Sequence, residues 1–416
     1  MSATKLIFIN RFYHPNDSAT AQMLTDLAVE MARENKPVHV ISSALSHNGH
    51  ALLPSELLTH GDVHTHWVKT TGFGHGSDLA RMFDHLSFYP GAFLKLLMLC
   101  KPGDVVVVKT DPPLLSVPLL LAVRLKRGKL VNWLQDLYPE VAAELGVPFL
   151  KGKLGKFLTR LRNGALRRST LNVVIGEKMR DRLLAAGIEG RNIEVIHNWA
   201  DDKNIQPKAS KCMEMRRVWG ISESAFVVGY SGNLGRAHEA DTILGAARKL
   251  RDRKDILFLF VGVGSERQRL VESMEQEGLP NIIFKDYEPR EKLSSSLAAA
   301  DVHWISLRTC LEGLIVPSKF YGIAAAGRPI LAVTDLDGEI ANIVRKGDCG
   351  EVVTPGDVDG LVAAILRLAS DEMQTQAKGR RAREMLDTNF SRAAAIRRWR
   401  GALDRVASSA RAIQVP

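Results

Sequence analysis

Short apolar runs recur along the whole chain, separated by stretches with the spacing of amphipathic helices. In the first half, residues 5–10, 38–42, 63–68, 104–109, 129–134, 171–175 and 194–196 read as strands. The series continues in the second half at 226–230, 256–261, 282–284, 302–305, 330–333 and 351–354. Residues 19–34 place Leu24, Leu27, Ala28 and Met31 on one helical face, and 92–100, 241–250, 266–277 and 361–369 read as helices between strands. The Val-rich run at 104–109 has the composition of a strand buried on both faces. Strands alternating with helices demand parallel sheets covered on both sides. Two such series, in a chain longer than the ~250–300 residues a single core sustains, predict two doubly wound, Rossmann-like α/β domains. The expected domains are 1–200 and 201–390, joined through the polar linker Asp201-Asp202-Lys203-Asn204 and Pro207-Lys208. The remainder, 391–416, reads as a basic helix crossing back to pack on the first domain.

In such sheets ligands bind beyond the carboxyl ends of the strands. The loops there carry the chemistry. Tyr230-Ser231-Gly232-Asn233-Leu234-Gly235-Arg236 follows a strand; Gly232 and Gly235 let the backbone approach a ligand, and Arg236 offers a planar fork to phosphate oxygens. Gly262 and Gly264 form a tight turn between a strand and a helix. That pair falls short of the full dinucleotide fingerprint, so a nicotinamide enzyme is not indicated. Pro317-Ser318-Lys319 opens a further helix, closed by Gly327 and Pro329. Free N–H groups, the helix dipole and Lys319 suit an anion there, a diphosphate above all, with the Glu312 carboxylate just upstream.

The first half offers three loops. His14, Asn16, Asp17, Ser18 and Thr20 follow the first strand, where Asp17 or Ser18 would also cap a helix. Asp111 stands ahead of Pro112, as an N-cap or as a substrate ligand. Gln135, Asp136 and Glu140, flanked by Trp133 and Tyr138, end a buried strand and suit recognition of sugar hydroxyls, with Asp136 able to serve as a base.

A net charge of +10 favours anionic partners such as nucleotide phosphates, a lipid phosphate or an acidic membrane face. No nucleic-acid recognition motif is present. From Lys151 to Arg168 the chain is basic and amphipathic, either a solvated helix face or a contact with an anionic membrane. Residues 112–125, interrupted by Pro118 and Arg124, are too short for a span. The N-terminus reads as a first strand rather than a signal peptide, and four widely separated cysteines read as free thiols of a reducing compartment, the cytoplasm. The Asp335-Leu336-Asp337 and Asp357-Val358-Asp359 triplets each precede a helix and read as caps, so no metal is expected.

Taken in order, Phe12-Tyr13-His14-Pro15 with Ser18-Ala19-Thr20, 133–140, Val195-Ile196-His197-Asn198-Trp199-Ala200-Asp201, 231–236 and 316–329 resemble retaining glycosyltransferases of family 4 with the GT-B fold. The resemblance covers nearly the whole chain and is greatest to the WbuB-like transferases of bacterial surface-polysaccharide assembly. It implies two Rossmann-like domains facing across a cleft and transfer, without a cofactor or metal, from a nucleoside diphosphate sugar, expected to be UDP-linked. The acceptor implied is a hydroxyl; the basic excess and the Lys151–Arg168 stretch add the expectation that it belongs to a lipid-linked glycan at the cytoplasmic membrane face. The resemblance places Gly232, Asn233, Arg236, Ser318 and Lys319 at the diphosphate, Asp286 and Tyr287 beside the base, and the 16–20 loop at the acceptor.

Two positions depart from the family pattern. Eight residues after Glu312, where a second glutamate is usual, stands Phe320; alignment on Gly327 and Pro329 puts Gly322 there. Gln135 occupies the place of a histidine and can hydrogen-bond a sugar hydroxyl but cannot transfer a proton. A nucleotide-sugar epimerase or hydrolase, or a non-catalytic nucleotide-sugar-binding protein, would share the same fold.

Overall fold

The computed structural model describes residues 4–16, 18–34, 36–46, 51–52, 62–73, 78–208 and 212–409. The chain divides into two compact units, Met1–His197 with Ala395–Pro416, and Asn198–Ala394.

The first unit is built on a seven-stranded parallel sheet in the order β3-β2-β1-β4-β5-β6-β7. Its strands are β1 (Leu6–Ile9), β2 (Val38–Ser43), β3 (Val63–Val68), β4 (Val105–Lys109), β5 (Lys129–Leu134), β6 (Leu171–Val174) and β7 (Ile193–Val195). Every residue of β1, β4, β5 and β6 is buried, as expected of strands covered on both faces. Strand order reverses between β1 and β4, which pair from Leu6 opposite Val105 to Ile9 opposite Val108. The crossovers through helices Asp78–Leu99, Ser116–Leu125 and Lys153–Arg168 all advance toward β7. Right-handedness therefore puts these three helices on one face of the sheet, and Ala19–Ala32, which links β1 to β2 in the opposite sense, on the other.

The second unit has a six-stranded parallel sheet, β10-β9-β8-β11-β12-β13, with the same reversal between β8 and β11. Here β8 is Phe226–Ser231, β9 Ile256–Val261, β10 Ile282–Lys285, β11 Val302–Ser306, β12 Ile330–Val333 and β13 Gly350–Val353. Its core joins Tyr230, Phe258, Phe260, Trp304, Leu331 and Ile365.

The tail helix, Arg392–Ser408, belongs to the first unit from Ala395 onward. Trp399 packs on Trp133 of β5 with ring centroids 4.6 Å apart. The Lys129 ammonium donates to the carbonyls of Val406, Ala407 and Ser409 at 3.1, 2.7 and 2.7 Å, satisfying acceptors a helix C-terminus leaves open.

Two local expectations change. Helix formation begins at Asp78, well before residue 92, and continues through Pro90. Pro90 and Gly91 both lie inside this helix. In the fold, Gly91 is where the helix crosses Val68 so closely that a Cβ would lie 2.2 Å from its Cγ1. Asp111 does not cap a helix either, because the next helix starts at Ser116 with Leu115 in the cap position.

Candidate active site

Each unit gathers its candidate residues at its own point of strand reversal. In the second unit, β8 ends at Ser231 and the chain turns through Gly232 with φ 134°. The Gly232 N–H donates to Val261 O at 2.9 Å and the Leu234 N–H to Val263 O at 2.7 Å, fastening this loop to the turn after β9. In that turn Gly262 and Gly264 have φ values of 127° and 140°. A Cβ on Gly262 would come 2.4 Å from Gly232 O and 2.9 Å from the Tyr287 ring, and one on Gly264 would come 2.2 Å from Leu234 O. Glycine is required by close backbone approach as well as by dihedral angle.

Lys319 enters this knot from the helix Lys319–Ala325. Its ammonium donates to Asn233 O at 3.2 Å, lies 5.2 Å from the Tyr230 ring centroid, and meets His238 Nε2 at 3.2 Å. His238 Nδ1 is 2.8 Å from Ser306 O. A carbonyl only accepts, so Nδ1 carries the proton and Nε2 receives the lysine hydrogen bond. Burial, with Lys319 alongside, pushes the imidazole down to about 3. Burial likewise lowers Lys319 to about 8. Among the described residues no carboxylate acts on that ammonium as a pKa-raising neighbour.

Arg236 is exposed on the turn that leads to His238. Gly235, beside it, has open space where a Cβ would be. Ser318 takes the cap position of the Lys319 helix without a side-chain hydrogen bond, and Pro317 stands one residue ahead of it, outside the first helical turn. Tyr287 is half exposed against Gly262, while Asp286 points to solvent in a 3.3 Å ion pair with Arg267. Glu312 is held differently. Oε1 accepts the Glu339 N–H at 2.8 Å and Oε2 the Thr334 hydroxyl at 3.3 Å, so the carboxylate sits on the N-terminus of helix Glu339–Gly347. Burial raises its pKa despite those hydrogen bonds. A Cβ on Gly338 would strike Oε2 at 2.6 Å, so the carboxylate is closely confined. Of the two DxD triplets, Asp357 caps helix Val358–Ser370 through Gly360 N–H, and Asp335 accepts from Asp337 N–H within its own turn.

In the first unit, the loops after β1, β4 and β5 meet. The Arg11 N–H donates to Asp111 O at 2.8 Å, and the Gln135 N–H to Thr110 Oγ1 at 3.1 Å. His14–Pro15, Asp111–Pro112 and Tyr138–Pro139 are cis, one in each loop. Lys109, at the end of a strand of valines, is fully buried; its ammonium donates to Thr20 O at 3.0 Å and stands 3.6 Å from the Trp133 ring centroid. Burial depresses it to about 7. Burial raises Asp111 to about 6, against the pull of Arg11 and Lys109. Asp136 is raised to about 7 by burial reinforced by Asp111. A cavity of about 10 Å³ opens onto Lys109, Asn132 and Asp136, room for one water.

The remaining acceptor-side residues do local work as well. Ser18 caps helix Ala19–Ala32 by accepting the Ala21 N–H, and Asn16 is buried with its amide on Tyr13 O at 3.0 Å. His14 is half-buried, and Asp17 lies outside the described residues. Glu140 is taken by Arg162 in a two-point ion pair at 2.7 and 2.8 Å. Sequence reasoning missed Lys109 and His238. A lysine closing an all-valine strand was a readable signal; nothing in the sequence marked His238.

The chain's relatives fit this arrangement. Residues 18–199 match the family "Glycosyl transferase 4-like domain", and residues 213–385 match "Glycosyl transferases group 1". The probable glycosyltransferase WbjE of Pseudomonas aeruginosa is 28% identical over 75% of this chain and 76% of its own. WcaI of Escherichia coli strain K12, named as a colanic acid biosynthesis glycosyl transferase, is 26% identical over 70% of this chain and 72% of its own. Among solved structures, Anabaena Alr3699/HepE in complex with UDP-glucose superimposes with a TM-score of 0.72 at 15% identity, covering 96% of this chain and 99% of that one. The two units are the domains of a GT-B fold. The chain belongs among the glycosyltransferases with that fold.

Proposed function

We propose that this protein is a retaining, metal-independent hexosyltransferase of the WbuB-like kind, acting in surface-polysaccharide assembly at the inner face of the cytoplasmic membrane. Its donor is a UDP-sugar and its acceptor the hydroxyl of a lipid-linked glycan. The observation that carries the reading is the Lys319 ammonium, poised over a glycine knot at the strand reversal with only neutral protein acceptors around it. A half-buried cation with no carboxylate partner among the described residues is an incomplete ion pair. A diphosphate completes it, and the attraction grows as the sugar C1–O bond breaks and charge collects on the leaving phosphate.

The acceptor oxygen forms the new bond to C1, the old bond leaves its electrons on the diphosphate, and the acceptor proton passes to a base. Asp136 takes that role, since a carboxyl near neutrality both accepts and releases a proton at working pH. Gln135 orients a donor-sugar hydroxyl, and Glu312, confined by Thr334 and the Glu339 N–H, contacts the transferred sugar. Arg236, Ser318 and Tyr287 complete the donor side, and Asn16, Ser18, Thr20, His14 and Asp111 the acceptor side. The relatives' names, the HepE UDP-glucose complex and the colanic acid assignment of WcaI support the choice of donor and pathway.

The test incubates the protein with UDP-sugars and a lipid-linked acceptor, with chelator present, and follows UDP release and product anomeric configuration. Acceptor-dependent product of unchanged configuration supports the reading. Donor consumed equally without acceptor points to a hydrolase or epimerase, and an inverted product removes the retaining mechanism. Glu312→Gln with full activity would remove Glu312 from the site.

A further inference from the structure

The helices Asp78–Leu99, Ser116–Leu125 and Lys153–Arg168 form one layer on the first sheet, and the first and third each pack against the second. Helices in such a layer normally turn a polar side to water. These do not. On Asp78–Leu99 the buried side carries Phe88, Ala92 and Leu96. The opposite side carries Phe83, Leu86, Pro90, Leu94 and Met98, spaced three and four apart so that they form one stripe. Leu121 and Leu125 add to it on the second helix, and Leu154, Phe157 and Leu161 on the third. Met98 is 70% exposed, Leu125 64% and Phe157 54%, so these side chains stand out from the surface. Scattered apolar residues need no explanation, but three neighbouring outward stripes do.

The surrounding charge says what covers them. Lys153–Arg168 has no acidic residue, and its Lys153, Lys156, Arg160, Arg167 and Arg168 are exposed, while Arg162 is buried on Glu140. Ser116–Leu125 has no acidic residue and runs straight into Lys126 and Arg127. Asp84 of the first helix is buried against Arg11, away from this face. A second copy of the chain would press these cations against their own equivalents across a two-fold axis. An anionic bilayer matches both features: apolar side chains enter the acyl boundary while lysine and arginine heads remain among the phosphates.

We propose that this three-helix face docks the protein on an anionic lipid bilayer, with the Asp78–Leu99 stripe as its apolar keel and the Lys153–Arg168 helix as its electrostatic contact. The inference deepens the reading of the acceptor as lipid-linked and rests on it for its purpose, though its geometry is independent. Among the described residues no helix is long and apolar enough to cross a membrane, so the contact is peripheral.

The test is flotation of the full-length protein with vesicles of phosphatidylcholine alone or mixed with phosphatidylglycerol. The protein should float with the anionic vesicles, weakly or not at all with the neutral ones, and less at high salt. Leu94→Glu/Met98→Glu/Phe157→Glu, all at exposed positions, should weaken binding by more than about tenfold, because each removes an apolar anchor and adds a repelled charge. Its thermal midpoint and its transfer to a soluble acceptor analogue should stay as in the parent. No flotation with anionic vesicles at low salt overturns the proposal, as does undiminished flotation of the triple variant. A solution dimer that the triple variant turns into monomer also overturns it, since a second copy would then cover the face. A protein that floats yet transfers sugar to no acceptor separates failure of the transferase reading from failure of this one.

Discussion

Lys319 donates a hydrogen bond to the unprotonated Nε2 of His238 across 3.2 Å, and His238 is locked in that tautomer by the Ser306 carbonyl. A histidine is thereby used as a neutral acceptor for a cation, which aims the lysine at Asn233 and the glycine knot without neutralising it.

Donor affinity should follow the charge on Lys319. Burial lowers its pKa to about 8, so free protein loses the cation as pH rises through that value, and UDP affinity should fall with it. A bound diphosphate favours the charged form, so binding at pH about 8.5 should take up protons. Calorimetry in buffers of different ionisation enthalpy reads this directly. Lys319→Met should remove the proton uptake and lower turnover by about 10²–10³-fold.

Two neighbouring glycines should respond oppositely to alanine. At Gly232 a Cβ would meet Lys319 Cε at 2.5 Å, with φ at 134°, whereas at Gly235 it would meet open space. Gly232→Ala should cost about 1–3 kcal/mol in stability and displace the lysine, raising the Kd for UDP. Gly235→Ala should leave thermal midpoint and UDP affinity near those of the parent protein.

The first unit should show an opposed pH dependence. Asp136 has a folded-state pKa of about 7 against an ordinary 3.8, so the folded state holds a proton that the unfolded chain releases. Its contribution to stability is complete below pH about 4 and is lost as pH rises to about 7; Asp111 does the same up to about 6. Lys109 has the reverse sign, because its folded pKa near 7 lies below 10.5 and its cost is greatest below 7. Asp136→Asn should therefore gain stability relative to the parent as pH climbs from 4 to 7, measured by denaturant midpoint. If Asp136 is the base, the same variant should lose about 10²–10⁴-fold in turnover and its rise in rate near pH 7.

Lys129 should matter far more than its distance from the chemistry suggests. Its ammonium closes the tail helix by three carbonyl contacts, so Lys129→Met should leave them unpaired and cost about 1–3 kcal/mol. Hydrogen exchange should show the loss in residues 395–409 first, with the second unit's amides unchanged.

Much of this fold was legible because buried parallel strands have a simple sequence signature. Residues such as Val105–Lys109 and Ile256–Val261 cannot face water and cannot alternate, so composition alone marks them. The glycine loops were legible because each follows a strand and only glycine permits their positive φ. The first turns of helix Asp78–Leu99 were not legible, since the sequence pattern reads as helical only over 92–100, whereas in the fold the helix runs through Pro90 and packs on Val68 at Gly91.

The amino-acid order by itself determined two doubly wound sheets and the loops at their carboxyl ends, since strand burial and βα alternation are local properties. Tertiary structure alone decided the partners within each unit: Lys319 with His238, Lys109 with Thr20 and Trp133, Glu140 with Arg162, and three apolar helix stripes side by side. Those pairs join residues 22 to 89 positions apart. Contacts so distant in the chain, and the shifted charges that come with their burial, have no trace in local periodicity.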